Sequence, residues 1–98
     1  MKIYNYVDEE RIYETNGIKY KHLGTIYWKE RTFIVYQINF NTPEAITFIE
    51  ELISNKISDN LFGQNNLIYI EDETEWLTLV QIAQKENILS KQKALSPQ

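Results

Sequence analysis

The dipeptide Asn16-Gly17 constrains the fold of this chain more than any other feature, because it lies between two short runs rich in β-forming residues. Asn-Gly in this setting is the strongest short-range signal for a β-hairpin closed by a two-residue type I′ turn. Such a turn predicts three cross-strand pairs, namely Thr15 with Ile18, Glu14 with Lys19, and Tyr13 with Tyr20. The first half of the chain is therefore expected to form antiparallel sheet.

Three more segments of the first half predict strands. Ile3 to Val7 is short and suits the edge of a sheet. Residues 25–28 and 32–40 are separated by a polar break at 29–31, which predicts a second hairpin. The longer run carries apolar residues on both faces, so we expect a central strand with each face at least partly covered.

The middle of the chain predicts a helix followed by a loop and a strand. Thr42 suits an N-cap, Pro43 suits the first helical position, and apolar residues then recur with a helical period to about residue 55 or 56. Residues 57–66 are turn-rich, and Leu61-Phe62 is expected to attach this loop to the core. The apolar run Leu67 to Ile70 suits a buried strand, which a βαβ crossover would place parallel to the central strand.

A second helix is predicted to begin near Asp72 or Thr74 and to end near residues 86–87. The predicted fold class is α+β, with a mostly antiparallel twisted β-sheet of about five to six strands, including the N-terminal hairpins, and two helices packed largely on one face. The expected organisation is a single α+β domain over residues 1–89 and a polar C-terminal tail over residues 90–98.

The amino-acid composition limits the classes of protein to which this chain can belong. The 98 residues are 43% hydrophobic and 24% charged, as in globular domains and unlike disordered chains. The absence of cysteine excludes disulfides and thiol chemistry, and the sequence shows neither a signal peptide nor a membrane span, so we expect a cytoplasmic protein with no membrane partner. The net charge is −4, and residues 41–98 alone carry −5.

The titratable residues do not indicate catalysis. His22 is the only histidine and lies at the end of the predicted hairpin, so we interpret it as an ordinary surface or strand-end residue. No spacing typical of a metal site or a phosphate loop occurs. We therefore predict no catalytic residues, no metal and no cofactor.

Two groups of residues are candidates for partner binding. The acidic edge comprises Glu71, Asp72, Glu73 and Glu75. It suits helix capping, and it would also match a basic partner. The aromatic/basic hairpin comprises Tyr20, Lys21, Trp28, Lys29 and Arg31. It suits core packing of the rings, with stacking on single-stranded nucleic acid as the alternative. Trp28 and Trp76 are also considered as interface anchors.

These features predict a small acidic non-enzymatic protein-interaction domain of the inhibitor, immunity, antitoxin or adaptor type. The alternative is a nucleic-acid-binding regulatory module that uses the hairpin face. A protein partner is expected, and a homodimer through Ile3 to Val7 or through the hairpin stays open, because small domains gain core area by pairing.

Overall fold

The computed structural model describes residues 3–53, 61–63 and 65–86. In these residues the chain forms one antiparallel sheet in which each strand pairs with the next, and one helix follows the last strand. The elements are β1 (Tyr4–Thr15), β2 (Ile18–Trp28), β3 (Arg31–Ile38), β4 (Ile46–Leu52), β5 (Leu67–Tyr69) and α1 (Glu73–Lys85). The α+β class with an antiparallel sheet is confirmed.

The first hairpin is confirmed with its predicted register. Thr15 pairs with Ile18, and the two pairs behind it are also as expected. Asn16 and Gly17 adopt φ values of 53° and 80°, the left-handed geometry that a type I′ turn requires. Beyond the hairpin, the register shifts between Asp8 and Arg11 and between His22 and Gly24, at β-bulges inside long strands, so Ile3 to Val7 is part of β1 and not a separate strand.

The second hairpin is confirmed, although no glycine or asparagine marks its turn. Lys29 and Glu30 both take positive φ values, 54° and 60°, between β2 and β3. β3 is central as predicted, because Phe33, Ile34 and Val35 in succession have no exposed surface. Both faces of the sheet are therefore covered at this strand.

The predicted first helix is wrong, because residues 46–52 form strand β4. Thr42 does accept a hydrogen bond from Glu44 N (3.1 Å), but it caps a turn in which Ala45 N donates to the Thr42 carbonyl. Pairing with β3 from Ile38 to Thr32 then extends the backbone and overrides the helical spacing. The structure has one described helix where two were predicted.

The predicted parallel crossover is also wrong. β5 pairs antiparallel with β4 over three residues, with Leu67 opposite Leu52 and Tyr69 opposite Glu50. The segment predicted as the crossover helix is strand β4, and β5 lies beside β4 rather than beside β3. β5 lies at the edge of the sheet, and Tyr69 is 70% exposed.

The predicted second helix is confirmed as α1. Asp72 is its N-cap, and the Oδ1 atom accepts from Thr74 N at 2.9 Å and from Glu75 N at 3.3 Å. Its buried side chains are Leu79, Ile82 and Ala83, whereas Trp76 on the same helix is 43% exposed.

Among the described residues, the core consists of two clusters on opposite faces of the sheet. One is covered by α1 and contains Phe33, Val35 and Ile49 with the buried helix residues. The other is an aromatic cluster of Tyr13, Tyr20, Tyr36, Phe48 and Phe62, in which Phe62 stacks on Tyr20 with ring centroids 4.4 Å apart.

Leu61 and Phe62 attach their loop to the core as predicted, since both are buried in the second cluster. The predicted end of the first helix at residues 55–56, residues 57–60 and 64 of the predicted loop, and the tail 90–98 lie outside the described residues. None of the described helical residues forms a helix long and apolar enough to cross a membrane.

Candidate functional site

The structure does not place the aromatic/basic hairpin residues on one exposed face. Trp28 is only 6% exposed and packs in the cluster under α1. Tyr20 lies on the opposite face of the sheet, in the aromatic cluster. Lys29 lies over the Trp28 ring, 4.6 Å from its centroid, and Lys21 is half-buried. These side chains therefore do not line up as a stacking platform.

Arg31 links the sheet to the helix. Its guanidinium donates to both carboxylate oxygens of Glu51, at 2.9 and 3.1 Å, and to Glu75 at 2.8 Å. These two acceptors raise the pKa of Arg31 further above its ordinary value. The side chain also lies over the Phe33 ring. Arg31 thus fixes the first turn of α1 against β4, and its charge is already matched within the chain.

The acidic edge lies where β5 passes into α1. Glu71, Asp72 and Glu75 line an open groove of about 630 Å³, whereas Glu73 is exposed outside it. The other charged residues of the groove are Arg31, Glu50 and Glu51. Five carboxylates and one guanidinium give this groove a net charge of −4, which equals the formal charge of the whole chain.

A second groove of about 560 Å³ adjoins the acidic one and is mainly apolar. The two share Glu50, Tyr69 and Ile70. Besides the shared ones, the larger apolar residues that line the second groove are Ile49, Trp76 and Val80 on the α1 face of the sheet, and Ile46 and Phe48 on the other face of β4. Of these, Ile46 is 47% and Trp76 43% exposed. Large apolar side chains left accessible beside a charged surface are typical of interaction sites. We call the two together the joined groove.

Glu50 belongs to the residues shared by both grooves, and its side chain is held on the aromatic-cluster face of the sheet. The buried Tyr36 hydroxyl donates to Glu50 Oε1 at 2.8 Å, and Tyr36 in turn stacks on Phe48. Burial, together with this carboxylate, raises the pKa of Tyr36 above its ordinary value. The phenol therefore stays protonated at neutral pH and holds the Glu50 carboxylate on the face of the sheet opposite α1.

His22 is buried, so the prediction of a surface or strand-end histidine is wrong. It lies inside β2 at the bulge, where Nε2 donates to the Gly24 carbonyl at 3.1 Å and lies 2.9 Å from Thr25 Oγ1. The polar residues around His22 indicated the end of a strand, but the strand continues through the bulge, which turns this side chain inward. Among the described residues, no group of three histidine, aspartate or glutamate side chains could hold a metal ion.

No protein-family model, curated protein or solved structure matches this chain significantly. The interpretation of the site therefore depends on its geometry and chemistry. Sequence analysis indicated the acidic half of the joined groove and considered Trp76, but it missed Ile46, Phe48 and Glu50. These three share one face of β4, and their period-2 spacing was the signal that could have revealed them.

Proposed function

We propose that this chain is a small acidic protein-interaction domain that acts by binding a macromolecular partner, as inhibitors, immunity proteins, antitoxins and adaptors do. The observation that supports the proposal is the joined groove, in which exposed aromatic and aliphatic side chains adjoin a net charge of −4. Apolar anchors supply affinity at interfaces, and complementary charge supplies association rate and specificity. A cytoplasmic site of action and a non-enzymatic role are part of the same proposal.

Two features of the described residues support binding by surface complementarity. The acidic groove is built on fixed parts, because Arg31 holds Glu51 and Glu75, and Asp72 caps α1. A groove of fixed shape loses little conformational entropy when a partner docks. Its charges also favour a basic partner surface, such as the nucleic-acid-binding cleft of another protein.

The test is affinity capture from host lysate with the intact chain, followed by titration calorimetry with the purified partner. We expect one principal protein and sub-micromolar affinity. Raising the salt concentration from about 0.1 M to 1 M should weaken binding, since the screening length falls from about 10 Å to 3 Å. Failure to recover any protein whose binding is salt-sensitive would contradict the proposed function.

A further inference from the structure

We infer that the outer side of β1 binds an extended, cationic segment of a partner protein as an added antiparallel strand. The surface that would receive it comprises Glu10, Ile12 and Glu14, which we call the β1 edge. The matching segment carries an aliphatic residue with lysine or arginine two positions before it and two positions after it. The inference goes beyond the proposed function, because it does not use the joined groove.

The backbone of β1 offers hydrogen-bonding groups on its outer side. Thr15 and Ile18 flank the two-residue turn, so they exchange backbone hydrogen bonds, and such pairs alternate along an antiparallel ladder. Tyr13 therefore points its N–H and C=O groups toward β2, whereas Ile12 and Glu14 point theirs away from it. In the part of the chain that the structure describes, β2 is the only strand beside β1, so these groups lie at an edge that another strand can extend.

The side chains of the β1 edge follow the order acid, aliphatic, acid. Ile12 and Glu14 are two residues apart in a strand, so both lie on one face of the sheet, and Tyr13 between them packs on the other face. Ile12 is 54% exposed, and Glu10, two positions before it at the bulge, is exposed as well. Lys19 faces Glu14 from β2, so a cation on the outer side would extend a row of alternating charge.

The regular part of the β1 edge is short. The register of β1 shifts between Asp8 and Arg11, and the chain turns at Asn16. At about 3.4 Å per residue, residues 10–14 span about 14 Å, which about five extended residues would cover. Since bulges and charged side chains hinder pairing along a whole edge, the partner should contribute a short strand of this length.

Charge decides between a partner segment and a second copy of this chain. Two copies paired with Ile12 opposite Ile12 would place Glu14 of each copy opposite Glu10 of the other, and like charges directly opposite destabilise a strand pair. Pairing about Tyr13 would instead place Ile12 opposite Glu14, which matches an aliphatic side chain with a charge. β1 carries four acidic residues against one arginine, so a cationic strand is the matching occupant.

The test uses two peptides of about seven residues. One has valine flanked two positions away on each side by lysine, with threonine between and glycine at the ends, and the other has glutamate in place of lysine. Binding to the isotopically labelled intact chain is followed by amide chemical shifts and hydrogen exchange. We expect the lysine peptide to bind and to slow exchange at the amides of Ile12 and Glu14, with little change at Tyr13, whose amide already bonds to β2. The glutamate peptide should not bind.

Backbone modification separates strand pairing from charge attraction. A methyl group on the valine amide, which would face Ile12, should abolish binding of the lysine peptide. The same group on a threonine amide, which would point away from β1, should change the affinity less than about twofold. In the protein, I12P removes an outward N–H without removing a bond to β2, so it should abolish binding while circular dichroism shows that the sheet is retained.

Matched side-chain variants separate the β1 edge from other exposed residues. E14Q should weaken the lysine peptide about threefold, the scale of an opposite-charge pair between strands. E71Q removes an exposed charge from the acidic groove and should change the affinity less than about 1.5-fold. I12A should also weaken binding about threefold, whereas I18A, a similarly exposed isoleucine on β2, should not.

Failure of the lysine peptide to bind, equal binding of the two peptides, or equal loss from both methylated positions would overturn the inference. So would equal effects of E14Q and E71Q, or a dimer without peptide that I12P abolishes, because a second copy would then occupy the β1 edge. A captured partner that binds I12P and E14Q as tightly as the wild type would refute the β1 edge but leave the proposed function standing.

Discussion

Replacing Leu79 with alanine should destabilise the domain far more than the same change at Leu77, two residues away. Leu79 is fully buried between α1 and the sheet, whereas Leu77 is 48% exposed on the same helix. Truncating a buried leucine to alanine typically lowers the free energy of unfolding by about 3 kcal/mol through lost burial and the remaining cavity. Leucine and alanine differ little in helix propensity, so L77A should cost less than about 1 kcal/mol.

Urea denaturation followed by circular dichroism and by tryptophan emission measures both variants. A loss of about 3 kcal/mol corresponds to a fall in Tm of roughly 12–24 °C for a domain of this size. The m-value should be unchanged, because the same surface becomes exposed on unfolding. If L79A and L77A lowered the free energy of unfolding by similar amounts, α1 would not pack on the sheet through the face that carries Leu79. The placement of the α1 residues that line the joined groove would then be wrong.

Three further predictions concern stability. R31M should lower the free energy of unfolding by about 1 kcal/mol, and by less at high salt, because the ion pairs with Glu51 and Glu75 are partly exposed. Urea titrations at two salt concentrations measure this difference. G17A should lower it by about 1 kcal/mol in thermal melts, through backbone strain at φ +80° alone, since no neighbouring atom would meet the added Cβ within 4 Å. Because the pKa of Tyr36 is raised in the folded state, its contribution to the free energy of unfolding is fully present below about pH 10 and is lost as pH rises through the folded-state pKa. In pH-dependent denaturation, Y36F should therefore lose less stability at alkaline pH than the wild type.

Each of these predictions has a contradicting result. An R31M loss that does not depend on salt would mean that packing of the Arg31 stem, rather than charge, links β4 to α1. Unchanged melting of G17A would contradict the left-handed turn geometry at this position. Equal alkaline loss in Y36F and wild type would show that Tyr36 does not titrate at a raised pKa in the folded state.

Local signals in the sequence were sufficient where one local interaction decides the structure. The left-handed turn at Asn16-Gly17 and the cap at Asp72 each depend on a few neighbouring residues, and both are found as predicted. The central strand was also predictable, because a run that is apolar on both faces has to be covered on both.

Residues 46–52 show why the remaining topology was not predictable. Their apolar residues fit a helical period at Ile46, Ile49 and Leu52, and they fit a strand period at Ile46, Phe48 and Leu52 equally well. Pairing with β3 decides between the two, and that pairing is a tertiary interaction. The β-branched and aromatic run at 46–49 favoured the strand more than the nearby proline favoured the helix.

The joined groove could be predicted only in part for the same reason. Its acidic half is contiguous in sequence at residues 71–75, so composition revealed it. Glu50 reaches the groove from β4, which was misassigned, and Arg31 reaches it from the start of β3, 44 residues before Glu75. A site assembled from separated strands requires the correct pairing before its members can be recognised.

Because of the bulge at Leu23, the number of residues in β2, and not only their identity, determines which face of the sheet each side chain occupies. Leu23 is the extra residue between the pairs His22–Tyr36 and Gly24–Val35, and it points into the cluster under α1. Deleting it would shift the strand by one position and reverse every side chain before it, because alternate residues face opposite sides. Tyr20 would then leave the aromatic rings on one face and meet the other face of the sheet. A point substitution in β2 changes the packing of one side chain, whereas deletion of this single residue would change the packing of both core clusters together.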